Sequence, residues 1–292
     1  MSGVDNFTPS EIAHLVETRG VAKANAPVVT TLVLAVMAGA FIALGGVLST
    51  TILSGSELGF GPTRFIAGIG FSLGLILVIV AGAELFTGNN LVVMSWVSGS
   101  IGPGRLLRNW AVVYVGNLVG ALSVVAMVYL GRWWEQGEVS VGATALTVAA
   151  GKASLPFGVV FVRAILANAL VCLAVWLASG GRSVIDKIFG IIFPIAAFVA
   201  AGFEHSIANM YFLPLGLLLD GKPDVVKASG LTHDQLAGLT TTGAVNNIIA
   251  ATLGNIVGGA VLVGIVYWFV YLAPARLHPT RAVGGSESSD RT

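Results

Sequence analysis

The stretch 198-FVAAGFEHSIANM-210 sets a glutamate, a histidine and an asparagine in the middle of a very apolar run. From Ile188 to Leu219 there are 32 residues, and only Glu204 and His205 among them are ionisable. One continuous helix of that length would run ~48 Å at ~1.5 Å per residue. The hydrocarbon core of a bilayer is only ~30 Å thick. The reading that reconciles these lengths is a helix broken near Gly202-Phe203-Glu204-His205, where the polar cluster falls. Irregular backbone at membrane depth is tolerated only where protein buries it or where it lines a cavity. Ionisable groups at that depth mark substrate paths and proton relays.

Working outward, the whole chain has the composition of an integral membrane protein. Of its 292 residues 55% are hydrophobic and 10% charged, against roughly 25% charged in soluble domains; the mean hydropathy is +0.89. A net charge of +1 gives no case for nucleic-acid binding, and the single Cys172 cannot form an internal disulfide. Residues 1–26 read as a polar cytoplasmic segment. Thr8-Pro9-Ser10-Glu11 has the pattern of a capping box with proline at the first helical position. It opens a short helix from Pro9 to about Ala24, expected to lie at the membrane surface on Ile12, Leu15 and Val16. A signal peptide is not expected here. A channel domain follows over 27–274. Its six apolar stretches are about Pro27–Leu53, Phe65–Val97, Asn109–Leu130, Leu155–Ser179, Ile188–Leu219 and Ala244–Ala273, with linkers at 131–154 and 220–243. The tail 275–292 is expected to be disordered. With the N-terminus inside, nine Lys/Arg fall on the inner face and five on the outer; this predicts both termini in the cytoplasm.

Two motifs recur. G-x-E-x-x-x-x-N occurs at Gly82/Glu84/Asn89 and again at Gly202/Glu204/Asn209, an offset of 202 − 82 = 120 residues. G-N-x-V-G occurs at 116–120 and 254–258, an offset of 138. Spans 1–3 and 4–6 therefore read as two copies of one unit. Three spans per copy makes the copies inverted, each with its second span broken at the G-x-E site. Inverted repeats with paired broken helices are a transport architecture, and helix N-termini at mid-membrane favour anions. The four motif glycines have a simpler reading as close helix contacts.

GFEHSIANM at 202–210, ELFTG at 84–88, NALVCLAVW at 168–176 and GNIVGG at 254–259 resemble the formate/nitrite transporter family, over about residues 20 to 275. The resemblance implies an all-α, aquaporin-like six-helix protomer with helices 2 and 5 broken. It also implies a homopentamer with one pore per protomer, and passage of formate, nitrite, hydrosulfide or similar monovalent anions with protons. It places the protein in a bacterial cytoplasmic (inner) membrane, as neither an enzyme nor a cofactor binder. By motif, Thr87 would gate beside a central His205, with Lys152 near the outer vestibule and Asn168 and Asn255 on the pore side. Phe71, Leu75, Leu85 and Phe198 would form apolar constrictions. Gly88-Asn89-Asn90 is similar to nitrite- or hydrosulfide-type members, whereas GRSVIDK at 181–187 and FLP at 212–214 are formate-like. Arg163 departs from the family pattern; snorkelling to the interface is its expected role, with lining of the vestibule as the alternative.

A lone histidine is by default structural, but one in a helix break beside a membrane glutamate points to transport. Glu204 is expected to turn away from the lumen and either accept backbone N–H bonds from the loop or orient the imidazole. Lys152 could equally be a solvated surface lysine. The competing classes are a structural or sensor protein with a vestigial pore and an intramembrane enzyme. The enzyme has little support: there is no HExxH and no Gly-x-Ser-x-Gly, and His14, His233 and His278 lie in polar flanks or linkers.

Overall fold

The computed structural model describes residues 6–274. All regular structure among them is helical. Helix α1 (Pro9–Asn25) carries the expected capping box: Thr8 accepts the Glu11 N–H, and the Glu11 carboxylate accepts the Thr8 N–H. The Thr8 backbone and hydroxyl hold that carboxyl below the ordinary range, so this cap is complete above it and lost in acid. Ile12, Ala13, Val16 and Ala24 are buried against the chain itself, beside Leu91–Met94 and Trp176. The helix is thus a plug on the protein rather than an amphipath free for the lipid surface. Its apolar stripe finds a protein partner first.

The long elements are α2 (Val28–Leu53) and α3 (Phe60–Ile76), the latter running on as a π-helical turn through Gly82. Then come α4 (Phe86–Asn89), a tight turn, α5 (Val93–Val97) and α6 (Pro103–Leu130). The second half has α7 (Ser140–Ala153), α8 (Phe157–Gly180), α9 (Val184–Ala200) and α10 (Ser206–Asp220). It ends with the short α11 (Pro223–Ser229) and α12 (His233–Leu236), then α13 (Thr241–Ile256), a π segment to Ile265, and α14 (Val266–Tyr271). Five helices are long and apolar enough to cross a bilayer: 28–53, 60–82, 103–130, 157–180 and 241–271. The expected tail at 275–292 lies outside the described residues.

Several boundaries differ from the sequence reading. Helix α3 begins at Phe60, not Phe65, and α6 at Pro103, not Asn109. Arg64, Arg105 and Arg108 break the apolar run without breaking the helix, and Gly102-Pro103 supplies the start signal for α6. The supposed linker 131–154 contains α7, whose Gly142, Ala145, Leu146, Ala149 and Ala150 are buried. Its residues are small rather than strongly apolar, so composition conceals it. Smallness is what the packing uses: Gly216 of α10 lies directly on the Ala149 side chain.

Helix α2 packs on α3 and α6, α8 packs on α9 and α13, and α3 meets α9 between them. The motif glycines hold these pairs together. A Cβ on Gly116 would meet the Ala35 side chain, and one on Gly120 the Val36 carbonyl. One on Gly254 would meet the Phe161 carbonyl, and one on Gly258 the Ile165 carbonyl. Gly120→Ala should therefore force α2 and α6 apart and lower stability by roughly 1–3 kcal/mol. Gly61→Ala, where the added methyl meets nothing within 4 Å, should leave thermal unfolding in detergent almost unchanged. Equal melting of the two variants would refute the close-contact role.

Candidate functional site

Helix α3 with its π turn stops at Gly82 and α9 stops at Ala200; helix resumes at Phe86 and Ser206. Gly82 (φ +84°) and Gly202 (φ +71°) take the left-handed backbone that ends each run. The breaks leave backbone groups without helical partners, and in a buried position each must be satisfied. One asparagine does this in each half. Asn117 accepts the Phe86 N–H (2.9 Å) and donates to the carbonyls of Ala35 (2.7 Å) and Glu84 (2.9 Å). Asn255 accepts the Ser206 N–H (2.8 Å) and donates to the carbonyls of Ala164 (2.8 Å) and Glu204 (3.0 Å).

The two glutamates are matched as closely. Glu84 pairs with Lys23 Nζ (3.0 Å) and accepts from Asn89 Nδ2 (2.6 Å). Asn89 also donates to Asn109 (3.0 Å), which donates to the Lys23 carbonyl (3.2 Å). Glu204 pairs with Lys152 Nζ (3.0 Å) and accepts from Asn209 Nδ2 (2.7 Å). Asn209 donates to Asn247 (2.7 Å), which donates to the Lys152 carbonyl (2.9 Å). Lys152 is therefore no surface lysine; its side chain is 17% exposed, and that of Glu204 is 3% exposed. A buried carboxylate without such partners would be strongly disfavoured. The Glu204 carboxylate is engaged by Lys152 and Asn209, so it does not orient the imidazole as expected, and Glu204 lines a cavity rather than turning from it.

His205 is the last residue before α10 and caps it: its Nδ1 accepts the Ala208 N–H at 3.1 Å. Nδ1 therefore carries no proton in this arrangement. A neutral ring then has its proton on Nε2, which lies 3.0 Å from Thr87 Oγ1 and donates to it. Thr87 stands in the first turn of α4, just past the break, and is fully buried. The Phe198 ring stacks on the imidazole at 5.9 Å and meets Phe71 edge-on at 5.6 Å.

Two cavities flank this point, and no residue lines both. The first, about 370 Å³, is walled by α1, Leu75, Glu84 and Leu85, with Arg19, Lys23 and Lys187. The second, about 290 Å³, is walled by Phe71, Phe198, Glu204 and His205, with Arg64, Lys152 and Arg163. Each holds three cations against one carboxylate. Phe71 and Leu75 lie four residues apart on α3, ~6 Å of helix, so the partition between the cavities is about one turn thick. Arg163 lines the second cavity and is not simply a snorkelling residue.

Asn168 and Asn255 line neither cavity. Asn168 sits behind the breaks, donating to Asn90 Oδ1 (2.9 Å) and to the carbonyls of Thr87 (3.3 Å) and Asn255 (2.6 Å). Sequence reasoning missed Lys23, Arg64 and the Asn109/Asn247 pair. The signal was present: 247 − 109 = 138 is the Asn117/Asn255 offset, since 255 − 117 = 138.

An all-helical bundle of membrane-length helices, with two cation-lined cavities meeting at buried polar breaks, defines a membrane transport protein. The formate/nitrite transporter family model matches residues 10–269. The formate channel FocA of Escherichia coli (strain K12) is 41% identical over 272 residues, 92% of this chain and 95% of that one. A probable formate transporter of Methanothermobacter thermautotrophicus is 40% identical over 282 residues, 91% of this chain and 97% of that one. A solved pentameric formate channel with formate bound superposes with a TM-score of 0.77 at 38% identity, covering 84% of this chain and 98% of that chain. The chain belongs to the formate/nitrite transporter family and is an integral membrane protein.

Replacing Asn255 by alanine leaves the Ser206 N–H and two carbonyls without their partner. Each buried group left unpaired costs roughly 1–3 kcal/mol. Asn255→Ala and the matched Asn117→Ala should both melt well below wild type in detergent. Wild-type melting of either would mean that its amide holds nothing in place.

Proposed function

We propose that the protein is a channel for small monovalent anions, formate foremost, with passage coupled to protonation at His205. The observation that carries this reading is the pair of cavities, each with three cations to one carboxylate, separated by about one apolar turn of α3 between Phe71 and Leu75, beside the Thr87–His205 contact. Cation-rich vestibules concentrate anions, while an apolar partition resists a hydrated ion and resists a neutral weak acid less. The relatives named as formate channels favour formate. Nitrite is the second reading, from Gly88-Asn89-Asn90. Its weight falls because Asn89 is tied to Glu84, Asn109 and Lys23 rather than free to contact an anion.

In this reading residues 27–274 form six spans as two inverted repeats, aquaporin-like, with the second and fifth broken at Gly82 and Gly202. The matched Lys–Glu–Asn–Asn sets support it. Residues 1–26 and both termini are cytoplasmic, in a bacterial inner membrane, and the molecule is a homopentamer with a pore in each protomer. Lipid and neighbouring protomers would cover the apolar residues left exposed on the single chain, among them Val29 (74%) and Leu130 (77%). Lys152, Glu204, Thr87 and His205 serve the path. Asn168 and Asn255 serve it from behind by holding the breaks. Leu75 and Leu85 close it on one side, Phe71 and Phe198 on the other. The proton enters through the geometry of His205. An imidazolium needs a proton on Nδ1 and must release the Ala208 N–H; an anion beside the ring supplies the opposite charge that offsets that loss. Charge on the ring and arrival of the anion are thus linked.

Competition flux among formate, nitrite and hydrosulfide in proteoliposomes is the primary test, and absence of any anion flux sinks the proposal. With protein-free vesicles subtracted, wild-type uptake should rise as pH falls, because the ring must gain a proton for the anion to pass. His205→Asn should fold, keep its pentamer and flatten that rise; an unchanged profile would remove the proton-donor role. The double variant Leu75→Ala, Phe198→Ala should thin the partition and admit chloride and acetate with weaker pH dependence. Loss of the folded pentamer without relaxed selectivity would reduce these side chains to core.

A further inference from the structure

The second cavity holds three cations, and they are not alike. Lys152 is answered by Glu204 at 3.0 Å. The Arg64 guanidinium is answered by backbone: Nε donates to the Ala200 carbonyl (3.1 Å) and Nη2 to the Val199 carbonyl (3.0 Å), at the end of α9. That grip fixes its plane against Gly202. Arg163 lines the same cavity with an exposed side chain. Among the described residues no carboxylate lies within 4.0 Å of Arg163, and no hydrogen bond holds its guanidinium. Arg163 on α8 and Arg64 on α3 thus face one cavity from different helices, with no carboxylate among the described residues to neutralise Arg163. The same arrangement suits a ligand that is negative, planar and small.

We propose that Arg163, working beside the fixed Arg64, is a specificity-determining residue that captures a carboxylate in the second cavity before it reaches His205. The inference rests on the anion-channel reading and adds a residue and an order of events to it. A guanidinium presents a rigid fork that matches the two oxygens of a carboxylate, as an ammonium does not. Capture in an open vestibule raises the local anion concentration and hence the rate when anion is scarce. It adds nothing once the vestibule is saturated. It is also screened by salt, because Arg163 is exposed.

The test uses the full-length protein in vesicles of neutral phosphatidylcholine, and again with a fraction of anionic lipid. Formate flux is measured from far below saturation to saturation, for wild type, Arg163→Ala and Arg163→Lys. Arg163 makes no bond within the fold, so these variants should assemble normally. Flux of Arg163→Ala at low formate should fall about 3- to 10-fold, within the range of electrostatic steering, with the saturated rate unchanged. Arg163→Lys should recover chloride competition more fully than formate capture. Raising the salt should shrink the gap between wild type and Arg163→Ala. A uniform fall at every concentration, or none, overturns the proposal. So does a fall confined to vesicles with anionic lipid, which would make Arg163 a headgroup anchor. Wild-type protein that passes no formate would fail the channel reading itself, and that result is distinct from the others.

Discussion

A helix interrupted inside apolar surroundings must find new partners for the N–H and C=O groups it frees, and the rest of this structure depends on how that is done. Phe86 and Ser206, where helix resumes, are buried from water, and an unpaired group there costs several times what an ordinary contact returns. Asn117 and Asn255 solve the problem in the same way. Each stands on a membrane-length helical run, accepts the first N–H after the break, and donates to the glutamate carbonyl within it. The third bond of each reaches a neighbouring helix, at Ala35 or Ala164. The amide therefore fixes three segments at once. That is why α2 must lie so close to α6, and α8 to α13, and why glycine occupies the crossing points.

Once the breaks are fixed, charge can be placed. Glu84 and Glu204 follow their glycines by two residues, so each carboxylate is delivered to a set position beside a cavity. Each is tied to a lysine from a helix outside the long bundle, α1 in one case and α7 in the other. The lysines thereby do two things: they neutralise a carboxylate that would repel anions, and they dock a short helix over a cavity mouth. The ends differ in one detail. Lys23 also donates to Asn89 Oδ1, whereas Asn209 Oδ1 is buried without a protein partner. The α1 end is the more fully bonded of the two.

Much of this was legible in the sequence. The excess length of Ile188–Leu219, the polar cluster inside it and the 120-residue echo at Gly82 and Glu84 located both breaks to within a residue or two. Thr87 and His205 do meet. What the sequence withheld was direction. A polar residue in an apolar run can serve a lumen or a backbone, and composition does not distinguish them; Asn168 and Asn255 turned out to serve backbone, and Glu204 to face a cavity. Helix α7 was invisible because its buried side is mostly alanine and glycine, with only Val141 and Leu146 strongly apolar. Lys23 looked like an ordinary charge on a surface helix because its partner is 61 residues away, 84 − 23 = 61.

The repeat offset has one more consequence. Counting 120 residues back from His205 arrives at Leu85, since 205 − 120 = 85, and both are the residue that follows the paired glutamate. The bonds around them match save for the one from Lys23 to Asn89, yet one place carries an imidazole and the other an isobutyl group. If a single ancestral unit was copied and fused, the frame was kept in both descendants and the chemistry was assigned to one. Because Asn117 and Asn255 hold the backbone on either side, the residue at this place carries little of the frame, its one structural bond being the His205 cap on the Ala208 N–H. Such a site is where a lineage can change what it carries while keeping how it is built.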